Sequence, residues 1–269
     1  MPAVNPEVTQ WIRQMGDSDQ VIAYFAYQSL LEQVLHSSAP GQAEAQGLLA
    51  AALGEALTAQ AGPAPGGRGG QPASFGNNPF LTAVASQTAA YRHPPRVRSN
   101  LARLLGYLPH EATIPYLGRA LNDLDAREMA RCSLEGSPSE KATDALVGAL
   151  DFVGADFCVG VVNSLAKRKG EKAAAALRKA AEDPQPEVRL AALYALADLP
   201  DAAHDAILEK AARSASPEER RQAHIARVRL AETLRASGNQ PAAERIYKSV
   251  LASTADEPQK KAARLALGA

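Results

Sequence analysis

The residue types that most often carry out chemistry are few in this chain, and their spacing matches no catalytic or metal-binding pattern. No two histidines stand at HxxxH or HExxH spacing, and no Ser-His-Asp or Cys-His arrangement can be argued from spacing. The histidines are His36, His93, His110, His204 and His224. The sequence therefore predicts a protein with no catalytic residues, no bound metal and no cofactor.

The cysteines and glycines also lack the spacing of a functional site. Cys132 and Cys158 are 26 residues apart with no ligand cluster around either, which argues against a disulfide framework or a zinc site. We expect both to be buried free thiols in a reducing compartment. The glycine-rich residues 61–79 contain no GxxxxGK[ST] spacing and follow no predicted strand, so they are not a phosphate-binding loop.

The helices that would have to position any site recur along the chain. Residues 183–212 have the pattern of a turn, a helix, a short turn and a second helix, with Leu196 and Leu208 as the apolar anchors of the two helices. The same pair, twelve residues apart, occurs three times upstream, as Leu105 with Leu117, Leu134 with Leu146 and Leu165 with Leu177. Steps of 29, 31 and 31 residues between copies indicate four repeats of one helical hairpin.

A period near 30 residues with two helices per unit is typical of an α-solenoid, in which each hairpin buries its apolar face against its neighbours. Val188-Arg189 follows Asp183-Pro184 and precedes an Ala/Leu run, and Val97-Arg98 is a related pair. On these residues the chain resembles the HEAT-repeat family, particularly its short bacterial members, over residues 93–213. The resemblance implies an all-α, right-handed α-α superhelix.

The resemblance also implies that the charged residues at the starts of repeats are structural. In this family, Asp and Arg at these positions form ladders between adjacent hairpins. Asp183 with Arg189, and Asp123 with Arg127, are therefore expected to be structural.

Three classes of HEAT-like protein with other functions are alternatives. Deoxyhypusine hydroxylases present several His-Glu pairs to two irons, whereas His110-Glu111 is the single His-Glu dipeptide here. HEAT-like alkylpurine DNA glycosylases need a basic concave face with aromatic residues, whereas Trp11, the only tryptophan, lies outside the regular repeats. The chromophore lyases of light-harvesting antennae resemble this chain only through the generic repeat. A nucleic-acid-associated protein, a lyase or another enzyme thus remains an alternative.

A row of cationic residues is the candidate binding surface. In HEAT solenoids the second helices line the concave side, and superposing the copies places Arg119, Gly148, Lys179 and Lys210 two residues after the second anchor. Arg178 and Arg213 lie close to this row in the sequence. Such a row suits an acidic peptide or helix, although Glu182 and Glu209 would partly neutralise it. The alternative is an ordinary solvated helix face.

Composition and charge limit the range of functions. Apolar residues make up 46% of the chain and aromatic residues 5%, which suits close-packed Ala/Leu helices better than a sheet. A formal net charge of zero argues against a dedicated nucleic-acid binder. The start of the chain lacks the pattern of a signal peptide, and no run of about 18 apolar residues occurs. We therefore predict a cytoplasmic protein that does not interact with membranes.

The chain is expected to contain four regions. Residues 1–60 form an atypical N-terminal helical cap that includes the most apolar helix of the chain, at residues 17–36. Residues 61–79 are rich in Gly and Pro and form a flexible linker or loop. Residues 80–213 carry the HEAT-like repeats. Residues 214–269 resemble a tetratricopeptide unit followed by a C-terminal cap helix, with Arg227 in place of the usual first aromatic residue.

The uneven distribution of charge suggests an intramolecular or dimeric contact. Residues 1–80 carry six acidic and two basic side chains, a net charge of minus four, and the remaining 23 acids and 27 bases give plus four. The acidic helices could fold back on the basic row or pair with it in a homodimer. The sequence as a whole predicts a non-catalytic scaffold or adaptor that binds a protein or peptide along its concave surface, and the cationic row favours an acidic one.

Overall fold

The computed structural model describes residues 5–60, 91–253 and 257–268, and their regular secondary structure is helical apart from one isolated β-bridge. By contacts the chain divides into two compact units, residues 1–152 and 153–269. The division falls between the second and third predicted copies of the hairpin. Of the described helices, none is long and apolar enough to cross a membrane.

The first unit contains seven described α-helices and one 3-10 turn. They are α1 (Glu7–Gln14), α2 (Gln20–Ser37), α3 (Ala43–Thr58), α4 (Pro95–Gly106), the 3-10 turn Glu111–Thr113, α5 (Ile114–Ala120), α6 (Arg127–Gly136) and α7 (Glu140–Ala149). Helices α4 and α6 pack against each other, and so do α5 and α7, so first helices stack on first helices and second on second. Helix α3 packs directly on α4 and α5.

The second unit contains seven described helices. They are α8 (Ala155–Arg168), α9 (Glu171–Ala180), α10 (Pro186–Ala197), α11 (His204–Ala211), α12 (Pro217–Ala236), α13 (Gln240–Ser253) and α14 (Glu257–Leu267). Helices α8, α10 and α12 stack in order, and α13 packs on both α12 and α14. The predicted C-terminal cap helix corresponds to α14.

The anchor leucines occupy equivalent positions in all four copies. Each of the eight, from Leu105 to Leu208, is at most 1% exposed. Hairpins pack through these side chains because neither helix of a hairpin can bury its apolar stripe alone. The prediction of an all-α protein built from repeated helical hairpins is confirmed.

The turn of the third copy differs from the others in its backbone. Proline stands four residues after the first anchor in the other copies, whereas here Lys169 and Gly170 both have positive φ, at 57° and 84°. Gly170 tolerates this conformation because it has no Cβ. The sequence departure at Lys169-Gly170 thus changes the turn while both anchors of the copy stay buried.

The two ends of the segment between α3 and α4 are joined. Gln60 and Tyr91 form an isolated antiparallel bridge, and the Arg92 amide donates to the Ala59 carbonyl at 2.9 Å. The predicted linker, residues 61–79, lies outside the described residues. The chain therefore leaves and re-enters the described part of this unit at one place.

Candidate functional site

A cleft opens in the second unit between the second helices of two successive hairpins. Helix α9 packs on α8 and α10, and α11 packs on α10 and α12, but α9 and α11 do not pack closely on each other. The space between them has a volume of about 330 Å³. The first helices α8 and α10 are in close contact, so the hairpins splay apart on the second-helix side.

The cleft has an apolar floor and a charged rim. Ala181, Ile207 and Ala211 form the apolar part. The polar lining residues are Arg178, Glu182, Arg189, Lys210, Ser214 and Glu219. Two residues of the predicted set, Arg178 and Lys210, therefore line one cleft, whereas Lys179, the position equivalent to Lys210, is not among its lining residues.

An exposed ion pair bridges the two hairpins across the cleft. Lys210 Nζ lies 2.8 Å from Glu182 Oε1, and both side chains are well exposed, at 76% and 67%. The hydrogen bond holds the pKa of Glu182 below its ordinary value and raises that of Lys210. Because exposed pairs contribute little to stability, this contact can be exchanged for another at small cost.

Arg178 and Arg213 each have an acidic neighbour close by in the sequence. Arg178 pairs with Glu171 within α9, and Arg213 Nη2 lies 2.8 Å from Glu209 Oε1. The prediction that Glu182 and Glu209 partly neutralise the row is confirmed. Lys179 is exposed in the last turn of α9.

Arg119 belongs to the first unit and has a separate environment. It lies exposed in the last turn of α5, where its guanidinium carbon is 5.1 Å from the centroid of the Tyr116 ring. Its Nε donates to the Pro115 carbonyl at 3.3 Å. These local contacts fix Arg119 against its own helix.

A half-buried ion pair closes one end of the cleft. Arg189 donates from Nε and Nη2 to the two carboxylate oxygens of Glu219, at 3.1 and 3.0 Å, and Ser214 Oγ donates to the same carboxylate at 3.0 Å. These bonds hold the pKa of Glu219 below its ordinary value. A carboxylate with three donors is fixed in place, so this pair forms a rigid wall.

The predicted ladder between hairpins exists, but its partners are different residues. Asp123 accepts two bonds from Arg98 of the preceding hairpin, at 2.6 and 3.0 Å, rather than forming a predicted pair with Arg127. Arg189 donates to the backbone carbonyl of Asp183 at 2.8 Å while its charge is paired with Glu219. The structural role inferred for Asp123 and Arg189 is confirmed. Each pair joins neighbouring repeats because stacking brings the two repeats within reach.

His110 and Glu111 are occupied by structural contacts. His110 Nδ1 accepts from the Ala112 amide at 3.1 Å, and Glu111 binds Lys141 of the next hairpin at 2.5 Å. In the described part of the chain, no three His, Cys, Asp or Glu side chains are grouped as metal ligands.

The two cysteines differ in exposure. Cys158 is buried as expected, and burial raises the pKa of its thiol. The expectation of burial is wrong for Cys132, which is exposed. Ala130 and Leu134 form the buried face of α6, and Cys132, two residues from each, lies on the other side of the helix.

Sequence reasoning missed the contribution of Arg189, Glu219 and Ile207 to the cleft. One signal was available, because several ion pairs between hairpins join residues about one repeat apart. The separations are 28 residues for Glu182–Lys210, 30 for Arg189–Glu219, 30 for Glu111–Lys141 and 31 for Asp198–Arg229. A search for opposite charges at the repeat period would have found Arg189 and Glu219.

The comparisons with known proteins agree with the repeat architecture. A family model described as HEAT repeats matches residues 159–229, which run from α8 into α12 and include the cleft. This segment consists of HEAT repeats. The match covers less than half of the chain, and no curated protein matches it significantly.

Three solved structures are similar to this chain at low identity. The complex of CpcE and CpcF of phycocyanin lyase from Nostoc sp. PCC7120 is 20% identical, with 100% of this chain and 95% of that chain covered and a TM-score of 0.40. Human deoxyhypusine hydroxylase in complex with glycerol is 17% identical over 97% and 95%, with a TM-score of 0.36. A designed armadillo repeat protein in complex with the peptide (KR)4 is 18% identical over 97% and 98%, with a TM-score of 0.29. Similarities at this level assign no activity or partner to this chain.

Proposed function

We propose that this protein is a non-catalytic interaction scaffold, and that the cleft between α9 and α11 binds an acidic segment of a partner protein. The observation that carries the proposal is the combination of an apolar floor with exposed, exchangeable ion pairs at the rim. Ile207 and Ala211 offer apolar contact, and Lys210 offers a charge whose present partner, Glu182, is itself exposed. A partner carboxylate can replace Glu182 while an aliphatic side chain enters the floor.

Opening the rim costs little free energy. The Lys210–Glu182 pair lies in water, where such pairs contribute about 0–1 kcal/mol, so its loss on binding is inexpensive. Burial of apolar surface contributes roughly 25 cal/mol per Å². Affinity would therefore come from the floor, and the preference for acidic partners from Arg178 and Lys210.

The charge of the cleft favours a peptide over a nucleic acid. Glu182 and Glu219 line the same space as Arg178, Arg189 and Lys210. A phosphate backbone approaching these cations would meet both carboxylates. An amphipathic acidic helix or strand can place its carboxylates at the cations and its apolar face on the floor.

The test uses fluorescence anisotropy of the full-length protein with two labelled peptides, one alternating glutamate and leucine and one alternating lysine and leucine. We expect the acidic peptide to bind and the basic peptide not to bind. Lys210→Glu should weaken binding of the acidic peptide at least tenfold. The matched control is Lys248→Glu, because Lys248 is also exposed and paired with a glutamate but lies on α13, outside the cleft.

Three results would contradict the proposal. These are equal binding of the two peptides, equal losses for Lys210→Glu and Lys248→Glu, and a labelled DNA duplex that binds more tightly than the acidic peptide with a steep dependence on salt. The last result would favour the nucleic-acid alternative.

A further inference from the structure

Helix α2 carries an exposed face that is largely apolar. Its buried residues, Ala23, Ala26, Leu30 and Val34, recur at three- and four-residue steps and pack into the first unit. The opposite side of the helix carries five of the large exposed apolar side chains of the described residues. These are Val21 (61% exposed), Ile22 (41%), Tyr24 (58%), Phe25 (63%) and Leu35 (56%).

We propose that this face of α2 binds the same face of a second copy of the protein, with the two α2 helices antiparallel. The exposed apolar area is the first reason. From the sizes of these side chains it is roughly 500 Å² per copy, which is at the upper end of what a monomer exposes. Two such faces bury about 1,000 Å² together, which is the smallest area expected of a specific protein interface.

The second reason is that the face is self-complementary about its centre. Val21 and Leu35 are equally far from Gln28, and these three residues lie on one side of the helix. An antiparallel pair with its two-fold axis at Gln28 therefore places Val21 of each copy opposite Leu35 of the other, over about 21 Å of helix. The same axis places Tyr24 beside Leu31 of the second copy, because both lie on the same flank of the face.

The experiment measures self-association of the full-length protein by sedimentation over a range of concentrations. We expect a monomer–dimer equilibrium, and we expect Phe25→Asp to raise the dissociation constant at least tenfold. Phe25 is 63% exposed, so this variant should keep the fold, which circular dichroism checks. The control is Leu265→Asp, since Leu265 is 71% exposed on α14 and lies outside the proposed interface.

A cross-linking experiment tests the position of the axis. In a Cys132→Ser background, which removes the exposed native thiol, Gln28→Cys should form a disulfide between two copies under mild oxidation. Glu55→Cys, at an exposed position on α3, should not.

Each of four results would overturn the proposal. They are a full-length protein that stays monomeric at about 100 μM, a dimer that Phe25→Asp leaves intact, a dimer without the Gln28→Cys cross-link, and self-association that appears only after residues 61–90 are deleted. The last result would assign the face to that segment of the same chain.

Discussion

The two compact units each join successive hairpins with an ion pair, but the pairs lie at different depths. In residues 1–152, Arg98 and Asp123 are 1% and 2% exposed, and Arg98 also contacts Asp125 at 2.7 Å. In residues 153–269, Lys210 and Glu182 are both more than half exposed. The first pair is part of the core, whereas the second lies at the mouth of a cleft.

Because the two pairs differ in depth, the buried pair holds the fold together and the exposed pair is available to bind a partner. A buried cation must keep its carboxylates, because removing one leaves a charge without compensation in a medium of low polarity. An exposed pair is solvated on all sides and can exchange partners with little change in stability. The buried Arg98–Asp123 pair is therefore a fixed junction, whereas the exposed Lys210–Glu182 pair leaves an available surface.

The largest expected effect is the loss of the buried carboxylate. Asp123→Ala leaves the Arg98 guanidinium buried without its two-bond partner and should lower the free energy of unfolding by about 3–5 kcal/mol. Urea denaturation followed by circular dichroism measures this. Asp125→Ala is the matched control, since Asp125 binds the same arginine but is 31% exposed, and it should cost less than half as much. Similar losses of unfolding free energy for both variants would show that burial of the carboxylate does not decide its contribution to stability.

An intermediate effect is expected at the half-buried pair, and it should depend on pH. Glu219 has a lowered pKa in the folded protein, so its ionised form stabilises the fold above its unfolded pKa of about 4.3, and that contribution is lost as the pH falls through the folded value. Glu219→Gln should therefore destabilise the protein by about 1–2 kcal/mol at neutral pH and by much less near pH 3.

Urea denaturation at both pH values tests this, with Glu218→Gln as the control. Glu218 is the preceding residue and contacts Arg221, but it is exposed, so its loss should change stability little. If Glu219→Gln lowers the free energy of unfolding equally at both pH values, the Arg189 contact does not make stability depend on the protonation of Glu219.

The smallest effect is expected at the exposed pair. Lys210→Ala should change the free energy of unfolding by less than about 0.5 kcal/mol, because both charges of the Lys210–Glu182 pair remain solvated without each other. Thermal unfolding at low and high salt measures this. A loss of more than about 1 kcal/mol would make the pair structural and weaken the proposal that it opens for a partner.

The repeat pattern and the row of cations follow directly from the order of residues. The eight anchor leucines and the acids that neutralise Lys210 and Arg213 could be placed because they depend on register within one hairpin or between adjacent copies. The tetratricopeptide resemblance of residues 214–269 stays a prediction. Their described part is a hairpin, α12 with α13, followed by α14, and Leu230, Leu234, Ala243 and Tyr247 are buried.

Arg227 makes contacts that the repeat pattern does not predict. The tetratricopeptide resemblance identifies it only as a departure from an aromatic position, yet it is 1% exposed and binds Asp205 at 2.8 Å and Ser249 at 2.8 Å, on the helices before and after its own. Its place among Ala223, Ala226 and Leu230 indicated burial, and a buried arginine needs an acid. Which acid it meets depends on how three helices pack.

The sequence by itself determined the helical hairpins, their period and the side of each helix that is apolar, because these depend on spacings of three and four residues within a helix and on copies of one pattern. Only the tertiary structure decided that α9 and α11 separate to leave a cleft, that Arg98 is buried while Lys210 is exposed, and that the outer face of α2 stays uncovered. These features depend on distances between helices, which arise from the packing of side chains far apart in the chain.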